Sequence, residues 1–157
     1  MTGGSPFGRL VPVASDYAAR PIDQAFNWEA CLATVDRGEW YVVAFRSIRR
    51  TDADEDLLDE MDERAFAEAS SFSGLLHYFS GTMDDERRCL SMCVWEDRQH
   101  AREAAALPEH LGAIGIADAT YSNYVLERYR LTKREGAVEL AEIEPPQASR
   151  AVREPRA

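Results

Sequence analysis

The sequence is poor in the residue types that mark several large functional classes. Lys133 is the only lysine, and the 157 residues include three histidines and three cysteines. Acidic residues outnumber basic ones by 28 to 18, which gives a net charge of −10. Binding to nucleic acid or anionic lipid requires a cationic surface, so we expect neither nucleic acid nor a membrane as a partner.

Long apolar runs are also missing. No stretch approaches the ~20 apolar residues of a membrane-spanning helix, and residues 1–15 contain no apolar core of signal-peptide length. Cys31, Cys89 and Cys93 stand in no C-x-x-C or Cys/His pattern, as expected of reduced thiols. These features predict a cytoplasmic protein, and the preference for arginine over lysine is typical of GC-rich bacterial genomes.

The signatures of common catalytic and metal sites are absent as well. There is no Gly-rich phosphate loop, and no Ser/His/Asp or Cys/His set with recognisable spacing. The acidic stretch from Asp52 to Glu63 superficially resembles a calcium loop, but Leu57 stands where the sharp turn requires glycine. We therefore expect no metal, and we interpret these acids as the first turn and outer face of a helix.

What the chain does contain is enough apolar residues, 45% of the total, to bury one core. The composition changes along the chain and predicts four segments. These are a flexible N-terminal arm (1–22), an accessory helix around Trp28 (23–38), one folded domain (39–132) and a flexible C-terminal tail (133–157).

Within residues 39–132, aromatic and β-branched runs alternate with amphipathic segments. They predict strands at 39–48, 73–83, 88–96 and 120–131, and helices at 51–70, 98–107 and 109–117. The order β-α-β-β-α-β is that of an α+β, ferredoxin-like antiparallel sheet with helices on one face.

The first strand is apolar on both faces at its centre, with Tyr41, Val43 and Phe45 alternating with Val42 and Ala44. Such a strand must be covered on both sides, by a second layer or by a partner subunit. Because the helices cover only one face, we expect a homodimer that closes an α/β barrel through the other.

Two segments, V-W-E-D-R-Q-H-A-R (94–102) and L-P-E-H (107–110), follow one another in this element order. Over about residues 39–132 the chain resembles the antibiotic-biosynthesis monooxygenase domains of the dimeric α/β-barrel superfamily. The resemblance implies an oxygenase of polycyclic aromatic, polyketide-type substrates that uses no cofactor. Haem-degrading members carry an Asn on the first strand, whereas residues 44–47 here are Ala, Phe, Arg and Ser, so haem binding or degradation ranks lower.

On this interpretation Trp95 and His110 are the catalytic pair, with Trp95 walling a cavity between sheet and helices and His110 exchanging a proton. Arg46 or His77 would stabilise the deprotonated substrate. The remaining predicted substrate-binding residues are Tyr124 and Phe45.

Each of these residues also has a structural interpretation. A buried Trp95 is a normal core residue, His110 can cap or pack at the helix start after Pro108, and Arg46 can form a salt bridge. The alternative function is therefore a non-catalytic ligand-binding or accessory domain. An open cavity shared by Trp95, His110 and a polar group of the first strand would favour the enzyme.

Overall fold

The computed structural model describes residues 5–148, except for the side chains of His110, Ala113, Asp118 and residues 144–148. A five-stranded antiparallel sheet with the order β2-β3-β1-β4-β5 forms the centre of the molecule. Its strands are β1 (Gly38–Arg49), β2 (Leu75–Phe79), β3 (Arg88–Trp95), β4 (Tyr121–Arg134) and β5 (Ala137–Ala148). The helices are α1 (Ile22–Ala25), α2 (Trp28–Cys31), α3 (Glu55–Ser70), α4 (Arg98–Ala105), α5 (Pro108–Gly115) and α6 (Ala117–Thr120).

The first four strands confirm the predicted ferredoxin-like order. Local sequence accounts for the helix boundaries on this part of the chain. The Asp97 side chain accepts a hydrogen bond from the backbone N–H of His100 at 2.9 Å and caps α4. Asp54 caps α3 in the same way, through the N–H of Leu57, so this helix begins four residues later than predicted.

The predicted C-terminal tail is wrong as far as residue 148, because the chain turns back after β4 and adds β5 to the sheet. Glu135 and Gly136 both have positive φ, 50° and 82°, as in the two-residue turns that suit β-hairpins. Val138 and Leu140 of β5 pack against the core, which stabilises the added strand. Residues 149–157 of the predicted tail lie outside the described part.

The predicted N-terminal arm and single accessory helix are also wrong. Residues 5–35, which we name the N-terminal layer, contain 3-10 turns at Pro6–Arg9 and Tyr17–Ala19 followed by the short helices α1 and α2. A single helix over 23–38 does not form because Phe26 is extended and pairs with Pro12 in a β-bridge. Apolar residues throughout this layer are buried, namely Phe7, Leu10, Tyr17, Ile22, Ala25, Phe26, Trp28, Cys31 and Leu32. Residues 1–4 of the predicted arm lie outside the description.

The N-terminal layer covers the sheet face that carries Val42 and Ala44, and it forms the main core with them. Both faces of β1 are therefore covered within one chain, through the second layer that the sequence had left open as an alternative. A face-to-face homodimer requires an uncovered apolar face, and this one is occupied. The homodimer remains a prediction, but it was predicted from an uncovered sheet face, and the N-terminal layer covers that face.

The other sheet face carries α3, α4 and α5 and a smaller core around Tyr41 and Trp95. Helix α3 packs mainly against α5, and Leu58 is its one buried residue among those described. Since α3 buries so little, the side chains beneath it on β1 and β4 stay partly open to solvent. In the described range no helix is both long and apolar enough to cross a membrane.

Candidate functional site

The sheet separates the predicted site residues into two groups. Arg46 lies on the face of Val42 and Ala44, under the N-terminal layer, and the register places His77 opposite Val94 on that same face. Phe45, Tyr124 and Trp95 lie on the helix side. The structure therefore does not bring the six predicted residues into one site.

Arg46 holds the N-terminal layer to the sheet. Its Nε donates to Glu127 Oε2 at 2.8 Å, and its two terminal nitrogens donate to the carbonyls of Ala18 (3.0 Å) and Arg20 (2.7 Å). Each of the three guanidinium nitrogens therefore donates to one acceptor. Arg46 thus forms a salt bridge, which is the structural interpretation given above. None of these contacts supports its predicted role of stabilising a deprotonated substrate.

His77 is half-buried, and its Nε2 has no hydrogen-bond partner among the described residues. Burial lowers the pKa of its imidazole below the usual value, which favours the neutral form. Because it lies across the sheet from the helix side, His77 does not meet Phe45 or Tyr124.

Trp95 is a core residue with 5% of its surface exposed. Its ring packs with Tyr41, Ala101 and Ala104, and its Nε1 donates to Cys93 Sγ at 3.0 Å. Trp95 lines neither of the two recesses described below. The side chain of His110, on α5, lies outside the described residues, so the catalytic pair stays a prediction.

Three half-buried rings on the helix side form what we name the aromatic cleft: Phe45, Tyr121 and Tyr124. The Phe45 ring centre lies 5.2 Å from that of Tyr121 and 5.5 Å from that of Tyr124, and the two tyrosines are 6.0 Å apart. Two of the three pairs are edge-to-face, the arrangement that aromatic quadrupoles favour. The second ring pair on this side, Phe66 of α3 and Tyr78 of β2, is 4.9 Å apart and solvent-exposed.

Arg49 and Asp62 supply charge beside these rings. Arg49 pairs with Tyr121 in the β1–β4 ladder, and its side chain is 18% exposed. Its Nε is buried with no hydrogen-bond partner in the described part, and its Nη1 reaches Glu55 only at 3.4 Å. The guanidinium therefore keeps unused hydrogen-bonding capacity beside the aromatic cleft.

Asp62 is an exposed residue of α3 within electrostatic range of Arg49 and Tyr121. Desolvation of the carboxyl raises its pKa, Asp59 adds to the increase, and Arg49 opposes it. Burial, with Asp62 as the next cause, also raises the pKa of the Tyr121 hydroxyl and keeps it protonated. The cleft thus combines a cation, a neutral phenol and a carboxylate that binds protons more tightly than usual.

Sequence reasoning missed Arg49, Asp62 and Tyr121 as site residues. Side chains alternate between the two faces of β1, and this alternation is a signal that could have identified Arg49. Phe45 and Arg49 are four residues apart and share one sheet face, whereas Arg46 lies on the opposite face. No pattern in the sequence indicates that Asp62 of α3 faces this strand.

A recess of about 470 Å³ opens beyond the cleft, at the end of β1. A second recess of about 200 Å³ lies on the N-terminal layer around Asn27. Among the residues whose side chains the structure describes, no group of three or more His, Cys, Asp or Glu is arranged to hold a metal ion. The first recess is lined by Ile48, Arg49, Arg50, Thr51, Asp52, Arg87 and Ser122.

Solved structures share the fold of this chain at low sequence identity. Protein SO0527 of Shewanella oneidensis is 15% identical, with a TM-score of 0.54 over 62% of this chain and 98% of that one. PA3566 of Pseudomonas aeruginosa is 15% identical, with a TM-score of 0.50 over 58% of this chain and 92% of that one. SnoaB of Streptomyces nogalater, described as a cofactor-independent oxygenase, is 18% identical, with a TM-score of 0.47 over 62% of this chain and 95% of that one.

The sheet order and the structures of SO0527 and PA3566 confirm the ferredoxin-like α+β fold that the resemblance implied. No curated protein matches the chain. The family pattern described as PB2B2.08-like matches residues 6–145, which include both the N-terminal layer and most of β5. Both additions to the ferredoxin-like core are thus part of the family pattern, and the chain belongs to the PB2B2.08-like family.

Proposed function

We propose that the aromatic cleft binds a planar, electron-rich aromatic molecule with an acidic position, and that the protein oxygenates this molecule without a cofactor. The observation that carries the proposal is Arg49, a largely buried guanidinium with an unsatisfied Nε next to Tyr121 of the aromatic cleft.

The rings suit a flat ligand. Phe45, Tyr121 and Tyr124 are each partly exposed on the helix side, so a planar molecule can exclude water from all three at once. Ligand sites are commonly apolar and aromatic, with a few polar groups that fix orientation. The Tyr121 and Tyr124 hydroxyls are such groups.

Arg49 is the group that would stabilise the anionic form of that ligand. A buried donor without a partner costs about 1–3 kcal/mol, and a ligand oxyanion would remove this cost by accepting from Nε. Charge fixed in advance beside a reacting group favours the form of the substrate that carries the opposite charge. A phenolate or enolate bound here is therefore stabilised relative to its neutral form.

Asp62 is the group that would accept the proton that the ligand must lose. Its raised pKa makes the carboxylate a better proton acceptor than an ordinary aspartate.

The reaction then draws its electrons from the substrate. A ring CH₂ loses one proton to Asp62, and the resulting carbanion gives one electron to O₂. The two radicals combine as a peroxide, which eliminates water to leave a carbonyl. Overall, CH₂ and O₂ give C=O and H₂O, so that one oxygen atom enters the product and the other leaves with both hydrogens.

The test uses 1,8-dihydroxyanthrone as the probe, with binding followed by calorimetry and turnover by oxygen uptake and ¹⁸O₂ incorporation. Replacing Arg49 by Met is expected to lower the rate by about 10²–10³, the usual effect of losing one anion-stabilising donor. The matched control is Arg130→Met, an exposed arginine at the far end of the same sheet face, loosely paired with Glu39 at 3.6 Å. It should leave the rate unchanged.

Asp62→Asn separates proton removal from binding. It is expected to lower kcat and abolish the acidic limb of the pH profile, with little change in KM. Binding without oxygen uptake would support the non-catalytic alternative. Absence of binding, or equal rates in Arg49→Met and Arg130→Met, would refute the proposal. The cleft lies within one chain, so the proposal does not depend on a second copy.

A further inference from the structure

We infer that the recess at the end of β1 is an oxyanion site that holds a carboxylate of the ligand, which makes the ligand an aromatic carboxylic acid. This inference rests on the proposed function, because the recess and the aromatic cleft share Arg49.

Three arginines line the recess in a protein whose net charge is −10. Arg50 is already paired, because its Nε and Nη2 donate to the two carboxylate oxygens of Asp52 at 2.8 and 3.0 Å. Within the described residues Arg49 and Arg87 have no carboxylate closer than 3.4 and 3.8 Å, and they supply the cationic side of the recess.

Arg87 stands in a backbone conformation that favours glycine, with φ of 65°. It is the last residue of the β2–β3 turn, which is closed by hydrogen bonds from Arg87 N to Asp84 O and from Asp84 N to Arg88 O, both 2.9 Å. Glycine would form this turn without strain. An arginine at this position carries backbone strain that glycine would avoid, and strained residues concentrate at binding sites.

The Arg87 side chain is fixed at the recess. Its Nε donates to the carbonyl of Arg49 at 3.0 Å, and its Nη2 donates to that of Arg50 at 2.8 Å. Among the described residues Nη1 has no hydrogen-bond partner, so the guanidinium is held in place with one nitrogen left for a ligand.

Glu55 is the carboxylate that the chain itself offers to both arginines. Its Oε1 lies 3.4 Å from Arg49 Nη1 and 3.8 Å from Arg87 Nη2, and its side chain is half exposed. Close N–H to carboxylate contacts are about 2.7–2.9 Å long, so Glu55 is a loosely held occupant that a ligand carboxylate can displace.

Continuity with the aromatic cleft identifies the class of ligand. Arg49 pairs with Tyr121 in the sheet, and the Tyr121 ring lies 5.2 Å from that of Phe45. A ligand whose rings occupy the cleft therefore reaches the recess with a substituent at its edge. A planar carboxylate matches the planar donor fork of arginine.

The experiment compares 1,8-dihydroxyanthrone with its 3-carboxylic acid by calorimetry, so that the two probes differ only in the carboxylate. The wild-type protein is expected to bind the acid at least tenfold more tightly. Arg87→Gly, in which glycine suits the backbone, should bring the ratio of the two affinities close to one. Glu55→Gln should increase affinity for the acid severalfold, because the competing internal carboxylate is removed.

The matched control is Arg64→Gln, an exposed arginine on α3 that pairs with Glu60, and it should preserve the ratio. Thermal unfolding checks the fold of each variant, and Arg87→Asn is the second choice because asparagine also tolerates this φ. Equal affinities in the wild type, or an unchanged ratio in both Arg87 variants, would overturn the inference while leaving the proposed function intact. If neither probe binds, both are wrong.

Discussion

The contact between Arg46 and Glu127 makes the attachment of the N-terminal layer testable. Arg46→Met keeps the length of the side chain but removes all three of its hydrogen bonds, leaving the Ala18 and Arg20 carbonyls and one Glu127 oxygen without their donors. The side chains of Arg46 and Glu127 are only 22% and 13% exposed, so water replaces the lost donors poorly.

The expected loss of stability follows from that burial. Removing one partner of a buried ion pair leaves an uncompensated charge and costs about 3–5 kcal/mol, a large part of the roughly 5–15 kcal/mol that stabilises a domain. Glu127 keeps its hydrogen bond from the Tyr129 hydroxyl at 2.7 Å, which places the expected cost near the lower end of that range. Adding Glu127→Gln removes the stranded charge, so the double variant should recover about 1–2 kcal/mol.

Urea denaturation followed by tryptophan fluorescence measures the free energy of unfolding. Trp28 reports on the N-terminal layer, where its Nε1 donates to the Ile22 carbonyl at 2.8 Å. Limited proteolysis should also cut Arg46→Met faster than wild type within residues 10–27. The reasoning is refuted if Arg46→Met loses less than about 1 kcal/mol, or if the double variant is less stable than the single one.

Three further results are expected. Phe26 is 2% exposed and packs among aromatic rings, so Phe26→Ala should lower the free energy of unfolding by about 3–5 kcal/mol in the same urea assay. A decrease of less than about 1 kcal/mol would mean that the N-terminal layer packs loosely. The pKa of His100, measured by NMR, should lie above its usual value of about 6.5, because its Nδ1 lies 2.8 Å from Asp97. The pair stabilises the fold fully below about pH 6.5, and this stabilisation is lost as the pH rises through the pKa of His100 in the folded protein. Asp97→Ala should return the pKa of His100 to its ordinary range, and no change would contradict the pairing. The pKa of Asp62 is raised in the folded protein, so stability should fall as pH rises from the unfolded value of about 3.9 through the folded one. Asp62→Asn should therefore stabilise the protein at pH 7 but not at pH 3, and an equal effect at both would contradict the shift.

The strands and caps that the sequence predicts correctly are those encoded by neighbouring residues. The aromatic and β-branched run of β1 has strong strand propensity, and Asp97 before α4 satisfies a helix N–H three residues on. Such signals need no knowledge of distant parts of the chain, which is why the ferredoxin-like order is readable from sequence.

The N-terminal layer lacks such signals. Over residues 5–22 of this layer the apolar residues are spaced irregularly among small residues and three prolines, so no helix or strand period appears. Their burial depends on distant partners, as when the Phe7 ring packs edge-on against Trp40 of β1 at 5.3 Å. A segment that is ordered by tertiary contacts alone resembles a flexible arm when only the sequence is considered.

Strand β5 was missed although part of its signal is local. Gly136 and the alternation of Val138 and Leu140 with glutamates are typical of a hairpin, but the Glu- and Pro-rich composition favoured a tail. Charged residues on the outermost strand also have a structural role, because they discourage pairing with other chains.

The candidate site was predictable only in part. Adjacent residues of a strand point to opposite faces of the sheet, so Phe45 and Arg46 of β1 cannot serve one site, and their positions in the sequence are enough to show it. The meeting of Arg49, Asp62 and Tyr121 depends on how α3 sits over the sheet, and no local pattern encodes that.

The position of the N-terminal layer also constrains how the protein is made. The amine of Lys133 donates to the Leu32 carbonyl at 2.9 Å across 101 residues, and the Tyr17 hydroxyl accepts from the N–H of Thr82 across 65. The N-terminal layer thus leaves the ribosome before the strands that it covers, so its partners are synthesised later. Until β4 is complete, the aromatic side chains of this layer stay exposed on the nascent chain, and protection from aggregation during that interval becomes a requirement for producing the protein.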